Sequence, residues 1–159
     1  KIPFFGICLG MQMAVIEYAR NQRGLIEANS TEIDSTCEAP VIDLMDSQKN
    51  ISKKGGTMRL GAWDCNLLTN TKASESYGKK TVSERHRHRY EFNDDFTDKV
   101  FDENFIVSGI NPDTGLVEII EYKNHPWFIG VQFHPEYKST ISNPHPLFKS
   151  FVKACLLKN

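Results

Sequence analysis

A thiol, an imidazole and a carboxylate are the residues of this chain whose types and settings suit covalent chemistry. Cys8 stands in Gly6-Ile7-Cys8-Leu9-Gly10, between an apolar run (Ile2 to Ile7) and a helical pattern. That layout predicts a nucleophile elbow, in which a strand turns sharply into a helix and holds the nucleophile at the tip. Glycines flank it because the strained turn leaves little room for side chains. The unpaired N–H groups and dipole of the helix start favour a thiolate there. The competing reading is a small buried hydrophobe, the usual fate of a free cysteine. A cysteine nucleophile needs a base, and the base needs a carboxylate to hold its ring in one tautomer. His134-Pro135-Glu136 offers both, with the two side chains able to point the same way if the segment is extended. The alternative for His134 is an ordinary histidine at a strand end.

Glu84-Arg85-His86-Arg87-His88-Arg89-Tyr90-Glu91 is the strongest charge feature. Extended, it sends Arg85, Arg87 and Arg89 to one side and His86, His88 and Tyr90 to the other. An arginine fork matches a carboxylate, so one reading is an anion clamp and the other a solvated face. Nucleic-acid binding fits poorly with the flanking Glu84 and Glu91, and His86-x-His88 has no neighbouring third ligand for a metal. Gln12 lies one helical turn beyond Cys8, on the same side, where it could hold a polar substrate or cap the helix. Glu32 suits an ammonium group or plain surface. Gly55-Gly56-Thr57-Met58-Arg59-Leu60-Gly61 looks superficially like a phosphate loop but lacks the G-K-[ST] ending, so physics does not make it nucleotide-binding.

The elements that must position these groups can be read from pattern. Ile2 to Ile7 reads as a buried parallel-type strand, and Met11, Ala14, Val15 and Tyr18 form a helical stripe from Leu9 to about Arg20. Asn29 to Pro40 reads as a loop, Val41 to Met45 as a short strand, Asp46 to Gly56 as a polar stretch ending in a turn, and Met58 to Leu68 as a strand pair around Gly61. Thr71 to Lys80 has loop composition. Ile106–Ile110 and Val117–Tyr122 read as strands joined by the turn Asn111 to Gly115, and Phe128–Phe133 as a strand that delivers His134. A closing helix from Pro146 carries Leu147, Phe148, Phe151, Val152, Cys155 and Leu156 on one face. The mixture predicts an α/β domain.

Bulk properties narrow the function classes. The 159 residues suffice for one domain with a real core. A net charge of −1 gives no general attraction to nucleic acid or to a membrane surface. No apolar stretch approaches the roughly 18 residues of a membrane span, and there is no signal-peptide pattern. The four cysteines (Cys8, Cys37, Cys65, Cys155) are widely spaced, which predicts reduced thiols in a cytoplasmic protein. A chain that starts inside a core strand also predicts something upstream of Lys1.

Pro3-Phe4-Phe5-Gly6-Ile7-Cys8-Leu9-Gly10-Met11-Gln12 together with Phe133-His134-Pro135-Glu136 resembles the class I (triad) glutamine amidotransferases. The Gly55–Gly61 and Glu84–Glu91 segments, Asn124-His125-Pro126-Trp127-Phe128 and Pro146-Leu147-Phe148 are similar to one branch, the glutaminase domain of CTP synthases. The likeness covers essentially the whole chain. It implies a three-layer α/β fold with a central, mostly parallel sheet and a nucleophile elbow. It also implies that Cys8 forms a glutamyl thioester, with His134 as base and Glu136 as its orienting carboxylate. Glutamine would be held by Gln12, Glu32 and Arg89 with the backbone of Leu9, Gly10 and Met11.

By the same resemblance, residues 1–159 are the C-terminal part of a glutaminase domain, with a further strand and a glycine loop ahead of Lys1 supplying a second oxyanion donor. The ammonia would go to a synthetase domain, absent here but normally on the same chain, that aminates ATP-activated UTP to CTP. Mg2+ accompanies the ATP, GTP is the activator, and the full-length enzyme is a homo-oligomer (tetramer). No cofactor or metal is implied for this domain itself. Two other readings are a cysteine γ-glutamyl peptidase or hydrolase, and a non-catalytic fragment should the upstream loop be lacking. The first gives no reason for the Gln12, Glu32 and Arg89 set, and the second expects one of Cys8, His134 and Glu136 to be replaced.

Overall fold

A computed structural model describes residues 1–44 and 58–157. Among the described residues nine strands fall in two sheets: β1 (Phe4–Ile7), β2 (Ala28–Ser30), β3 (Ala39–Leu44), β4 (Arg59–Leu67), β5 (Thr81–His88), β6 (Tyr90–Phe92), β7 (Phe105–Ile110), β8 (Val117–Tyr122) and β9 (Phe128–Val131). The helices are α1 (Leu9–Asn21), α2 (Lys72–Tyr77), α3 (Thr97–Val100) and α4 (Pro146–Leu156). The larger sheet runs β1-β9-β8-β7-β4-β5 and the smaller β2-β3-β6.

The larger sheet is mixed, which corrects the expectation of a mostly parallel one among the described strands. Only β1 and β9 are parallel, in register Phe4↔Phe128 to Ile7↔Val131, and the remaining pairs in that sheet are antiparallel. The reason is connection length. Short turns join β7 to β8 and β8 to β9, and a tight turn can return the chain only antiparallel. The parallel pair is closed by the long excursion from α1 round to β9.

Side chains alternate across β8 and β9 and divide the core between the two faces. On one face Ile120 meets Met11, Val15 and Ala19 of α1, with Val41, Ile42, Phe92 and Phe105. On the other, Ile119, Ile129, Val131 and Phe133 meet Ala73 of α2 and Leu147 of α4. Helices therefore cover both faces of the larger sheet, giving the expected three layers. β1 forms an edge of this sheet among the described strands, and it is half-buried rather than fully buried.

Three local expectations are corrected by hydrogen bonding. Thr71 to Lys80 holds a helix, not a loop. Thr71 caps α2 through a mutual exchange with Ser74, Gly78 (φ 63°) ends it, and the buried Glu121 carboxylate accepts the Lys72 and Ala73 N–H groups at 2.9 Å each. A carboxylate at the positive end of a helix satisfies donors that the helix itself cannot. Met58 to Leu68 is one strand, bent at Gly61 (φ 86°), and not a pair. Asn29 to Pro40 is bounded by residues of β2 and β3 rather than being wholly loop. The turn Asn111 to Gly115 is as expected, with the Asn111 side-chain oxygen accepting from the N–H groups of Asp113 and Thr114. The polar stretch Asp46 to Gly56 lies outside the described residues, as do Gly55, Gly56 and Thr57 of the glycine segment.

Candidate active site

The elbow at Cys8 is present. Cys8 joins β1 directly to α1 with φ 50° and ψ −105°, a left-handed region that non-glycine residues seldom occupy. Its N–H donates to the Val131 carbonyl at 2.7 Å, and its carbonyl accepts the N–H groups of Met11 and Gln12. The strand, the strained residue and the helix start are thereby locked together. Of the two flanking glycines only Gly6 is required for room. A Cβ there would lie 2.7 Å from both the carbonyl carbon and oxygen of Gly10, whereas one on Gly10 meets nothing within 4 Å. Gly6→Ala should therefore prise β1 from α1 at a cost of about 1–3 kcal/mol and slow Cys8 alkylation. Gly10→Ala should leave the melting temperature nearly unchanged. Differential scanning calorimetry on both variants checks this.

Burial is the main influence on the Cys8 thiol and pushes it above its ordinary value. The Leu9 backbone N–H opposes that by hydrogen bonding to the sulfur, while Glu91, Glu136 and Glu32 add to the rise. An elbow alone thus does not yield a thiolate here, and a base must take the proton. The side-chain amide of Gln132 reaches the sulfur, its Nε2 donating to Cys8 Sγ at 3.7 Å.

His134 lies three residues beyond β9, whose last residue Val131 pairs with Ile7, the residue before Cys8. Its N–H is bonded to the Arg85 carbonyl at 2.8 Å, and its ring stacks on Tyr137 with centroids 5.0 Å apart. His134 Nδ1 lies 2.6 Å from Glu136 Oε1. A carboxylate accepts, so Nδ1 carries a proton and donates it, and in the neutral ring Nε2 keeps its lone pair. That Nε2 is buried and has no hydrogen-bond partner. The pairing of His134 with Glu136 is as the sequence predicts, and a one-turn 3-10 helix over Pro135–Lys138 rather than an extended segment brings it about.

The other predicted residues are placed as follows. Leu9 is 53% exposed, Gly10 is half-buried and Met11 is wholly buried in the core on the α1 face. Gln12 is also buried, and its Nε2 donates to the Tyr90 carbonyl at 2.9 Å and to Gln132 Oε1 at 3.2 Å. Both amide hydrogens are thus committed within the protein, leaving Oε1 as the atom able to meet a donor on a substrate. Glu32 is exposed in the turn after β2, within electrostatic reach of Cys8. The charged run separates as expected from Glu84 to His88, with Arg85 and Arg87 exposed and Glu84, His86 and His88 buried. Arg89 sits where the chain crosses from β5 to β6, half-buried, and its Nε is buried with no hydrogen-bond partner. Among the described residues no three His, Cys, Asp or Glu side chains are grouped to hold a metal.

Sequence reasoning missed Gln132 and a buried ionic cluster behind it. Gln132 shares a side with His134 two residues on, a spacing visible in Gln132-Phe133-His134. Arg59, Glu91 and Glu118 come from three strands, and no local pattern unites them.

Comparisons with known proteins agree with this architecture. The family model for glutamine amidotransferase class-I matches residues 1–154. The chain is 62% identical to the CTP synthase of Flavobacterium johnsoniae over 156 residues, covering 98% of this chain and 29% of that protein. It is 58% identical to the CTP synthase of Clostridium acetobutylicum over 159 residues, covering 99% of this chain and 30% of that one. It spans less than a third of the length of these curated relatives. The Trypanosoma brucei CTPS glutaminase domain, solved with bound acivicin, superposes with a TM-score of 0.91 at 37% identity, over 99% of this chain and 61% of that one. A Thermoplasma acidophilum structure at 15% identity and a TM-score of 0.58, over 98% of this chain and 58% of that one, shares the fold alone. With a strand-to-helix elbow carrying Cys8 and a family match over nearly its whole length, the chain belongs to the class-I glutamine amidotransferases.

Proposed function

We propose that these residues are the glutamine-hydrolysing part of a CTP synthase, with Cys8 as nucleophile, His134 as base and Glu136 as its orienting carboxylate. The observation that carries the reading is His134. Its Nδ1–H is held by Glu136 at 2.6 Å and its Nε2 is buried without a partner, three residues beyond the strand that pairs with β1. A base in that state accepts one proton and returns it.

The steps follow from these atoms. Cys8 Sγ forms a bond to the side-chain amide carbon of glutamine while its proton passes to His134 Nε2. The Leu9 N–H, next after the nucleophile, faces the oxygen that becomes negative. The C–N bond then breaks, with the proton from His134 going to the leaving nitrogen, and ammonia departs. Water, deprotonated by the same Nε2, cleaves the thioester to glutamate. Arg89 offers its fork to the α-carboxylate, and its unpartnered Nε supports that role. Glu32 suits the α-ammonium group, and Gln12 Oε1 a further donor. The ammonia then serves ATP-dependent amination of UTP in a tetrameric enzyme, with GTP as activator. The Mg2+ would accompany ATP in the synthetase part of the enzyme.

The test is labelling with acivicin, an electrophilic glutamine analogue, read by peptide mass spectrometry. Cys8 should carry the label, glutamine should protect it, and Cys37, Cys65 and Cys155 should stay unmodified. Label on another cysteine, or no protection by glutamine, sinks the reading.

A further inference from the structure

Gln132 is wholly buried, and its amide touches the Cys8 sulfur. An amide can present either a donor or an acceptor to its neighbour, and the two have opposite effects on a thiol. A donor stabilises the thiolate, and an acceptor holds the proton on sulfur. Which one Gln132 presents is decided two residues away in the hydrogen-bond chain. The Tyr90 backbone carbonyl is an obligatory acceptor, so Gln12 must turn its NH2 toward it, as it does at 2.9 Å. The second hydrogen of that NH2 then points to Gln132, whose Oε1 receives it at 3.2 Å. With its oxygen spent on Gln12, Gln132 has only its NH2 left for Cys8 Sγ. The polarity of the relay from Cys8 through Gln132 and Gln12 to Tyr90 is therefore fixed by a main-chain carbonyl that can only accept.

We propose that Gln132 is a thiolate-stabilising donor to Cys8, and that Gln12 is a positioning residue that keeps the Gln132 amide turned donor-first toward the sulfur. The proposal rests on the reading of Cys8 as the nucleophile. The need for such a donor is visible in the surroundings. Glu136 from the turn after His134 and Glu32 from the turn after β2 raise the Cys8 thiol through their charge, as does Glu91 from β6 once it ionises. The Leu9 N–H and the Gln132 NH2 are the two groups named here that oppose them by donating to the sulfur. The relay also begins at Tyr90, next to Arg89. A ligand that shifts the Arg89 backbone therefore moves the first link of the chain that sets the thiol.

The experiment is the pH dependence of Cys8 alkylation by iodoacetamide in the full chain, followed on the Cys8 peptide by mass spectrometry. Gln132→Met removes the donor, and Gln132→Glu replaces it with an isosteric charge of the wrong sign. Each should raise the midpoint by about one pH unit or more, roughly a tenfold loss of thiolate at fixed pH, with the larger rise in Gln132→Glu. Midpoints within a few tenths of the parent in folded variants overturn the proposal, whatever happens to the melting temperature. A measurement on the unaltered protein stands even if both variants misfold. With 15N-glutamine labelling, one side-chain amide resonance should titrate with the Cys8 midpoint and be displaced when Cys8 is alkylated. Glutamine amide resonances that stay flat through that midpoint also overturn it. Iodoacetamide needs no glutamine site, so a shifted midpoint without glutamine hydrolysis would leave the relay standing and remove the substrate reading. Hydrolysis with an unshifted midpoint would do the reverse.

Discussion

Cys8→Ala should abolish glutamine hydrolysis, lowering single-turnover ammonia release by about four orders of magnitude or more. No other thiol can substitute. Cys65 is buried, with its thiol pushed far up by that burial, and Cys37 and Cys155 lie outside the elbow. His134→Ala should cost nearly as much. Burial raises the Cys8 thiol above its ordinary value, and His134 Nε2 is buried with no hydrogen-bond partner. The two residues act as a unit, so the double variant should be no worse than Cys8→Ala alone. Glu136→Gln should be milder, about a hundredfold. Its side chain is 46% exposed, and an amide oxygen can still accept from Nδ1. Hydrolysis within tenfold of the parent in His134→Ala would remove the base from the mechanism. A glutamine requirement that rises with no change in turnover would assign His134 to binding instead.

How much of this was legible in the sequence depends on the range of each interaction. The elbow could be read because strand, cysteine and helix are contiguous, and the only adjustment is that Gly6 and not Gly10 is sterically obligatory. His134 and Glu136 could be read because they are two residues apart. α2 was hidden because its start is completed by Glu121, far away in sequence, although Thr71, Ser74 and Gly78 are cap signals that composition alone obscured. The mixed character of the sheet was hidden for a different reason. A strand such as β8 is buried on both faces from Val117 to Glu121 whether its neighbours run parallel or antiparallel. The short turns flanking β8 carried the deciding information. The alternation of the Glu84–Glu91 run was visible, but not what its buried side faces, because Arg59 and Glu118 arrive from other strands.

That buried side is where the largest stability effect is expected, in Arg59→Met. Arg59 Nη2 lies 2.5 Å from Glu118 Oε1 and Nη1 lies 3.3 Å from Glu91 Oε1, all nearly sealed from water. His86 Nε2 stands 3.3 Å from Glu118 Oε2, His88 Nδ1 stands 3.3 Å from Glu91 Oε1, and the two rings meet at 2.8 Å. One guanidinium thus serves two carboxylates. Burial pushes Glu91 up to about 8 and Glu118 up to about 7, with Arg59 pulling both back. The same burial, reinforced by Arg59, drives both imidazoles far below their ordinary value, so they are neutral. Removing the only cation of this cluster should cost about 3–5 kcal/mol, a melting temperature lower by roughly 10 °C.

The pH dependence follows from the signs. The folded carboxylates keep protons that the unfolded chain releases above about 4.5, so their contribution falls as pH rises through 7 and 8. The neutral imidazoles contribute fully above about 6.5 and lose that contribution as pH falls, because the unfolded chain then takes up protons that the fold refuses. Between about 4.5 and 6.5 the two trends cancel, and stability should fall away on either side. Glu91→Gln removes one of the raised carboxylates, so it should flatten the loss of melting temperature between pH 6.5 and 8.5 measured by calorimetry. An unaltered slope in that variant would mean that the Glu91 carboxyl is already ionised in the fold, and that Arg59 alone balances two full charges.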